Sequence, residues 1–191
     1  KKAIVKMLKE HAISNYFVEI YENKGLDILP MILQMKNHIQ KYDYFLHLHT
    51  KKSVTLYNGM DWRNYLLFHL LGSKSNVNDI LNHFEENEHL GVVYPINHEA
   101  SFYQLINKNG AIGGNQKNLE KLFQKLEIAN DEIDHYMTFP TGSMFFARTA
   151  AIYDLFQVVD EEDFECENGQ LDGTYAHAIE RVFNLLAKKN G

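Results

Sequence analysis

Four short apolar runs, at residues 16–21 (YFVEIY), 44–49 (YFLHLH), 90–94 (LGVVY) and 143–147 (SMFFA), alternate with stretches of helical periodicity. That alternation constrains the fold more than any other feature of the chain. Apolar positions recur at helical spacing over residues 2–13, from Asp27 to Ile39, over 61–71, 78–87, 119–126, 150–156 and 171–188. In the last stretch Leu171, Tyr175, Ala178, Val182 and Leu185 form the expected core stripe, with His177, Glu180, Arg181 and Asn184 opposite. Short strands separated by helices predict an α/β fold with helices on both faces of a central sheet. Strands too far apart for tight hairpins are expected to run mostly parallel. No composition shift, long linker or repeat divides the 191 residues, so 1–191 reads as a single domain. The first residue is not a methionine, which points to a piece of a larger chain.

Composition narrows the function classes. Twelve Phe, eleven Tyr and one Trp argue against disorder. The single Cys166 can form neither an internal disulfide nor a cysteine zinc site, and no thiol nucleophile is proposed for it. With 19 basic and 25 acidic residues the formal net charge is −6, so a general basic footprint for nucleic acid is absent and no nucleic-acid partner is expected. No apolar run approaches the roughly 20 residues of a membrane-spanning helix, and the lysine-rich start is not a signal peptide.

In open sheets of the expected kind, ligands sit beyond the carboxyl ends of the strands. That rule singles out several segments. His47 and His49 share one face of a strand end and are followed at once by Thr50, Lys51, Lys52 and Ser53. Two imidazoles can ligate a transition metal, and two ammonium groups with two hydroxyls suit a diphosphate. A solvated basic turn is the competing reading. Asn23, Lys24 and Asp27 surround Gly25. Asp27 stands where a helix N-cap would, and Lys24 can face a phosphate near that helix end. Asp172 falls in the expected first turn of the last helix, where an ionised carboxylate is favoured and suited to general-base work. A capping role competes with that. Gly173 departs from helix propensity, which hints at a close approach there. Thr141, Gly142 and Ser143 expose backbone N–H groups and hydroxyls, and either line an acceptor pocket or form a turn leading into a strand. Trp62, Met7, Met31 and Met35 read as core, residues 160–167 as a solvated acidic loop, and 96–117 as a glycine-bearing loop of uncertain course.

Together the runs YDYFLHLHTKKS, W-R-x-Y-L at residues 62–66, FPTGSMFFAR and GQLDGTYAHAIER, with ENKGLDILPMI before them, resemble the rhamnan synthesis protein F family. The likeness covers nearly all of residues 16–186. It implies bacterial surface-polysaccharide assembly, with rhamnose passed from a dTDP-rhamnose donor to a polysaccharide or lipid-linked glycan acceptor. It implies a GT-A-like, Rossmann-like fold, an inverting mechanism, and a site in the bacterial cytoplasm or at the inner face of its membrane. By this resemblance Asp172 matches the catalytic base. Asn23, Lys24, Asp27, His47, His49, Thr50, Lys51 and Lys52 fall on the donor side, and Thr141, Gly142 and Ser143 on the acceptor side. Two departures stand out. His47-Leu48-His49 replaces the acidic D-x-D motif that usually holds Mg²⁺ or Mn²⁺, so transfer without a required cofactor is expected, with a divalent ion as the alternative. The first strand–helix–strand unit of the fold has no counterpart. The competing function is a non-catalytic glycan- or nucleotide-sugar-binding module of a larger polysaccharide-biosynthesis protein.

Overall fold

The computed structural model describes residues 1–50, 59–97, 110–133 and 138–190. Lys51, Lys52 and Ser53 lie outside them. The elements run α1 (Lys2–Glu10), α2 (Ile28–Gln34) continuing into a π-helical turn (Met35–Ile39), β1 (Tyr44–His47), α3 (Gly59–Leu71), α4 (Lys74–Glu86), β2 (Val92–Val93), α5 (Gln116–Leu126), β3 (Phe145–Arg148), a 3-10 turn (Thr149–Ile152), α6 (Tyr153–Val158) and α7 (Tyr175–Asn190).

The architecture is α/β, with a small three-stranded sheet in the order β1-β3-β2. Alternation along β3 organises it. Phe145 and Ala147 enter a large core built on α2, α5, α6 and α7. Met144 and Phe146 enter a second core with Trp62, Leu66 and Leu70 of α3 and Ile80 and Phe84 of α4. Side chains two apart on a strand share a face, so helices cover both faces, as the sequence predicts. On β1, Phe45 packs on the large core while Tyr44 and Leu46 pack on the small one. The same alternation carries His47 to the large-core side.

Strand direction departs from expectation. Both described pairings are antiparallel, with Tyr44 opposite Arg148, His47 opposite Phe145, and Val92 opposite Ala147. Long helical connections exclude tight hairpins, but they let the chain return in either sense, so they do not dictate parallel pairing. The run at 16–21 is not a strand. Among the described residues it pairs with no strand; Phe17 and Ile20 are exposed, and Phe17 stacks on His38 with ring centroids 4.5 Å apart. Met7 is also exposed rather than core, because α1 buries none of its residues. The last helix starts at Tyr175, not Leu171. Gly169 and Gly173 take φ of +74° and +80°, so residues 169–174 turn instead of coiling, and Leu171 is 69% exposed. Asp172 therefore precedes the helix and is not part of its first turn.

Candidate functional site

The sequence Phe139-Pro140-Thr141-Gly142-Ser143 forms a buried turn that is the hub of the site. Ser143 N–H donates to the Pro140 carbonyl at 2.9 Å. Gly142 and Ser143 both adopt positive φ, +88° and +54°. Glycine tolerates that conformation and serine does so at some cost. The side chains gathered around the turn hold it there.

From β1, His47 Nδ1–H donates to the Ser143 carbonyl at 2.5 Å, and just beyond the strand His49 Nε2–H donates to the Gly142 carbonyl at 2.7 Å. The two rings stack with centroids 5.9 Å apart. Asp27 at the N-terminus of α2 makes no side-chain capping bond to its helix. Its Oδ2 points instead at the Nε2 atoms of His47, 3.9 Å away, and His49, 3.7 Å away. That oxygen is buried with no hydrogen-bond partner among the described residues. Burial pushes the His47 imidazole below its ordinary pKa; the Asp27 carboxylate opposes this, and the neighbouring His49 adds to it.

From α7, Glu180 Oε1 accepts the Gly142 N–H at 2.7 Å and the Ser143 hydroxyl at 3.0 Å. Asn97 Oδ1 accepts the Thr141 hydroxyl at 2.7 Å. Arg181, only 6% exposed, lies over the Phe139 ring with its guanidinium carbon 4.9 Å from the centroid. It donates to the carbonyls of Ala111 and His177 at 2.6 and 2.7 Å and to Asp172 Oδ1 at 3.2 Å. It also approaches Glu180 Oε2 at 3.9 Å.

Asp172 completes the network. Its Oδ1 also accepts from Asn115 Nδ2 at 2.7 Å, and its Oδ2 accepts the Gly114 N–H at 2.9 Å. A Cβ at Gly113 would collide with this carboxylate, so the glycine is what lets the 110–115 turn close on it. Burial opposes the charge on Asp172, but the Gly114 N–H, the Asn115 amide and the Arg181 guanidinium outweigh it and hold the carboxyl below the usual carboxylate range. Its side chain is still 37% exposed.

The structure thus joins Asp27, His47, His49, Gly142, Ser143 and Asp172 in one continuous polar network, with Thr141 in the same turn. Other predicted residues fall elsewhere. Lys24 donates from Nζ to the Glu161 carbonyl at 2.7 Å, so its ammonium group is engaged by the acidic loop. Asn23 is exposed. Thr50 follows the histidines, and Lys51 and Lys52 lie outside the described residues. Sequence reasoning passed over Glu180, Arg181, Asn115 and Asn97. The first two were visible only as adjacent charges opposite the core stripe of a long helix, with no role assigned. Asn115 stood beside Gly113 and Gly114 in a segment read only as a loop. Among the described residues, no group of three His, Cys, Asp or Glu side chains is arranged to hold a metal ion.

The whole chain, residues 1–191, matches the rhamnan synthesis protein F family, and the protein belongs to that family. The family takes its name from rhamnan synthesis. The protein WxcX of Xanthomonas campestris pv. campestris, strain B100, is 37% identical over 177 residues, covering 91% of this chain and 24% of WxcX. WxcX of a second strain of the same pathovar, ATCC 33913, matches to the same extent. The chain therefore spans about a quarter of the length of these relatives. No solved structure matches it. Among the described residues, no helix is long and apolar enough to cross a membrane.

Proposed function

We propose that this protein is an inverting glycosyltransferase domain of GT-A-like ancestry, passing a sugar, rhamnose from a dTDP-linked donor, to a growing surface polysaccharide at the cytoplasmic side of the membrane. The observation that carries the reading is the continuous network from the end of β1 to Asp172, which ties the candidate donor side to a fixed carboxylate. In the proposed step an acceptor hydroxyl oxygen attacks the anomeric carbon. The bond from that carbon to the diphosphate breaks, and the diphosphate leaves with its electron pair. Asp172 takes the hydroxyl proton. The Gly114 N–H, the Asn115 amide and Arg181 hold it ionised, and its partial exposure leaves it open to an incoming alcohol. Lys51 and Lys52, following the strand end, would face the charge growing on the diphosphate. Asp27 and the histidines would border the donor, with Asn23 and Lys24 reaching it only if Lys24 leaves the Glu161 carbonyl, and Thr141, Gly142 and Ser143 would border the acceptor. Mg²⁺ and Mn²⁺ favour oxygen ligands. The strand end here offers imidazoles, each already hydrogen-bonded to a backbone carbonyl, His47 to Ser143 and His49 to Gly142, so these residues do not fit such an ion.

The test is release of dTDP from dTDP-rhamnose by the Asp172→Asn variant. Loss of a general base is expected to lower turnover on the order of 100-fold or more with the circular dichroism spectrum unchanged. Full activity in a folded variant would show that the base lies elsewhere. One observation favours a second reading, a non-catalytic sugar-nucleotide or glycan-binding module. Both Asp172 oxygens already accept hydrogen bonds, as a purely structural carboxylate would. That reading predicts stabilisation by dTDP with no release over time from the wild type.

A further inference from the structure

The sheet has a second end. Where β1 begins and β3 finishes, about 10 Å along the strand from His47, a groove of about 420 Å³ opens. Its volume falls in the range of small-molecule sites. Tyr42 and Tyr153 line it with partly exposed rings, and Gln40, Asp43, Asp154 and Asn190 line it with carboxylate and amide groups. Thr149 also lines it. That residue is 5% exposed, and its hydroxyl has no hydrogen-bond partner among the described residues. Nothing in the network around Asp172 uses any of these groups.

The lining chemistry selects a ligand class. Arg148 is the one cation among the lining residues, and its guanidinium is already engaged. It donates to the carbonyls of Leu90, Phe84 and Asn87 at 3.3, 2.7 and 3.1 Å and to the Tyr44 hydroxyl at 3.3 Å. Asp43 adds negative charge, while Asp154 is paired with Lys189 at 3.6 Å. A phosphate or nucleotide would meet the Asp43 carboxylate, and the nearby ammonium groups are engaged, Lys189 by Asp154 and the Leu126 carbonyl and Lys41 over the Tyr42 ring at 5.6 Å from its centroid, so an anionic ligand is disfavoured. A neutral ligand rich in hydroxyls suits the site. The Gln40 and Asn190 amide nitrogens already donate, to the Lys36 carbonyl and to the Ala151 carbonyl and Asp154, which leaves their side-chain carbonyls and the Asp43 carboxylate to accept from neighbouring hydroxyls; an amphipathic tyrosine ring covers an apolar C–H face while its hydroxyl stays wet. A pyranose ring has both features.

We propose that this groove is a glycan-binding subsite that holds one or two sugar residues of the polysaccharide chain, apart from the candidate transfer site. The choice of a rhamnose oligosaccharide as probe rests on the polysaccharide reading above. The test is nuclear magnetic resonance titration of the protein with a rhamnose trisaccharide, with dTDP titrated separately. The expected result is saturable shifts at residues 40–44, 149–154 and 190, with affinity at least tenfold weaker in Tyr153→Ala and in Tyr42→Ala. Both rings are partly exposed, so neither truncation opens a core cavity. Binding of dTDP should be unchanged in both variants. Shifts confined to the 139–143 turn and Asp172, or trisaccharide affinity unaltered in both folded tyrosine variants, would overturn the proposal. So would the absence of saturable trisaccharide binding. Trisaccharide shifts in the groove together with a failure to release dTDP would support the groove while refuting transfer, so the two proposals fail separately.

Discussion

Glu180 shows how much rests on single side chains here. One oxygen, Oε1, accepts both the Gly142 N–H and the Ser143 hydroxyl in a turn whose backbone sits at positive φ on two successive residues. Glu180→Ala leaves both donors without that acceptor. It should cost about 1–3 kcal/mol, read as a lower urea midpoint, while Glu180→Gln, which keeps a carbonyl oxygen, should recover much of the loss. An unchanged midpoint in the alanine variant would remove the residue from the account. His47 gives a pH dependence of definite sign. Burial lowers its pKa in the native state, so the unfolded chain takes up a proton near pH 6.5 while the native state does not. Stability is therefore complete above about pH 6.5 and falls as pH drops below it. Unfolding curves at pH 7.5 and 5.5 should show this, and His47→Asn should flatten the difference. At this scale the sequence was partly legible. Gly173 stood out as a break in helix propensity, and the close approach it permits is real: a Cβ there would lie 3.3 Å from the Gly114 carbonyl oxygen. Arg181 was not legible. Its burial depends on the 110–115 turn, which no local pattern announces.

At the scale of elements, residues 160–167 correct a reading based on charge alone. A run of acids looks solvated, yet the Asp163 side chain is largely buried and closes a capping box with Asp160. It also reaches two lysines on α5, Lys121 at 3.0 Å and Lys125 at 2.5 Å. Burial opposes its charge, but the Asp160 N–H and the two lysines outweigh that and hold its pKa low. Asp163→Ala should cost about 1–3 kcal/mol. The carboxylate's contribution is present above the ordinary Asp pKa and lost as pH falls through its lowered native value, so the gap between wild type and variant should close in acid. A gap that is constant with pH would mean the packing matters and the charge does not. Periodicity located the core helices well because each of them has a buried face; Leu119, Leu122, Phe123 and Leu126 are all core, whereas α1 shows the pattern and buries none of its residues. Strands were harder. The run at 16–21 has strand composition, but a strand needs a partner, and partners are a tertiary property.

Across the whole molecule, helices on both faces of a sheet followed from alternation, whereas strand direction did not, because long connections leave it undetermined. The consequence for α1 is testable. This helix buries nothing, so removing residues 1–12 should change the unfolding free energy by no more than about 0.5 kcal/mol; a larger loss would mean the segment packs on the core. The central claim is that the β1 end and Asp172 belong to one site, joined through the 139–143 turn. The most direct measurement is a titration with dTDP followed by amide chemical shifts. The account predicts that His47, His49, Gly142, Ser143, Gly114 and Asp172 shift together with a single dissociation constant. Saturable binding that moves the histidine end and leaves Gly114 and Asp172 still, or moves neither, would contradict it.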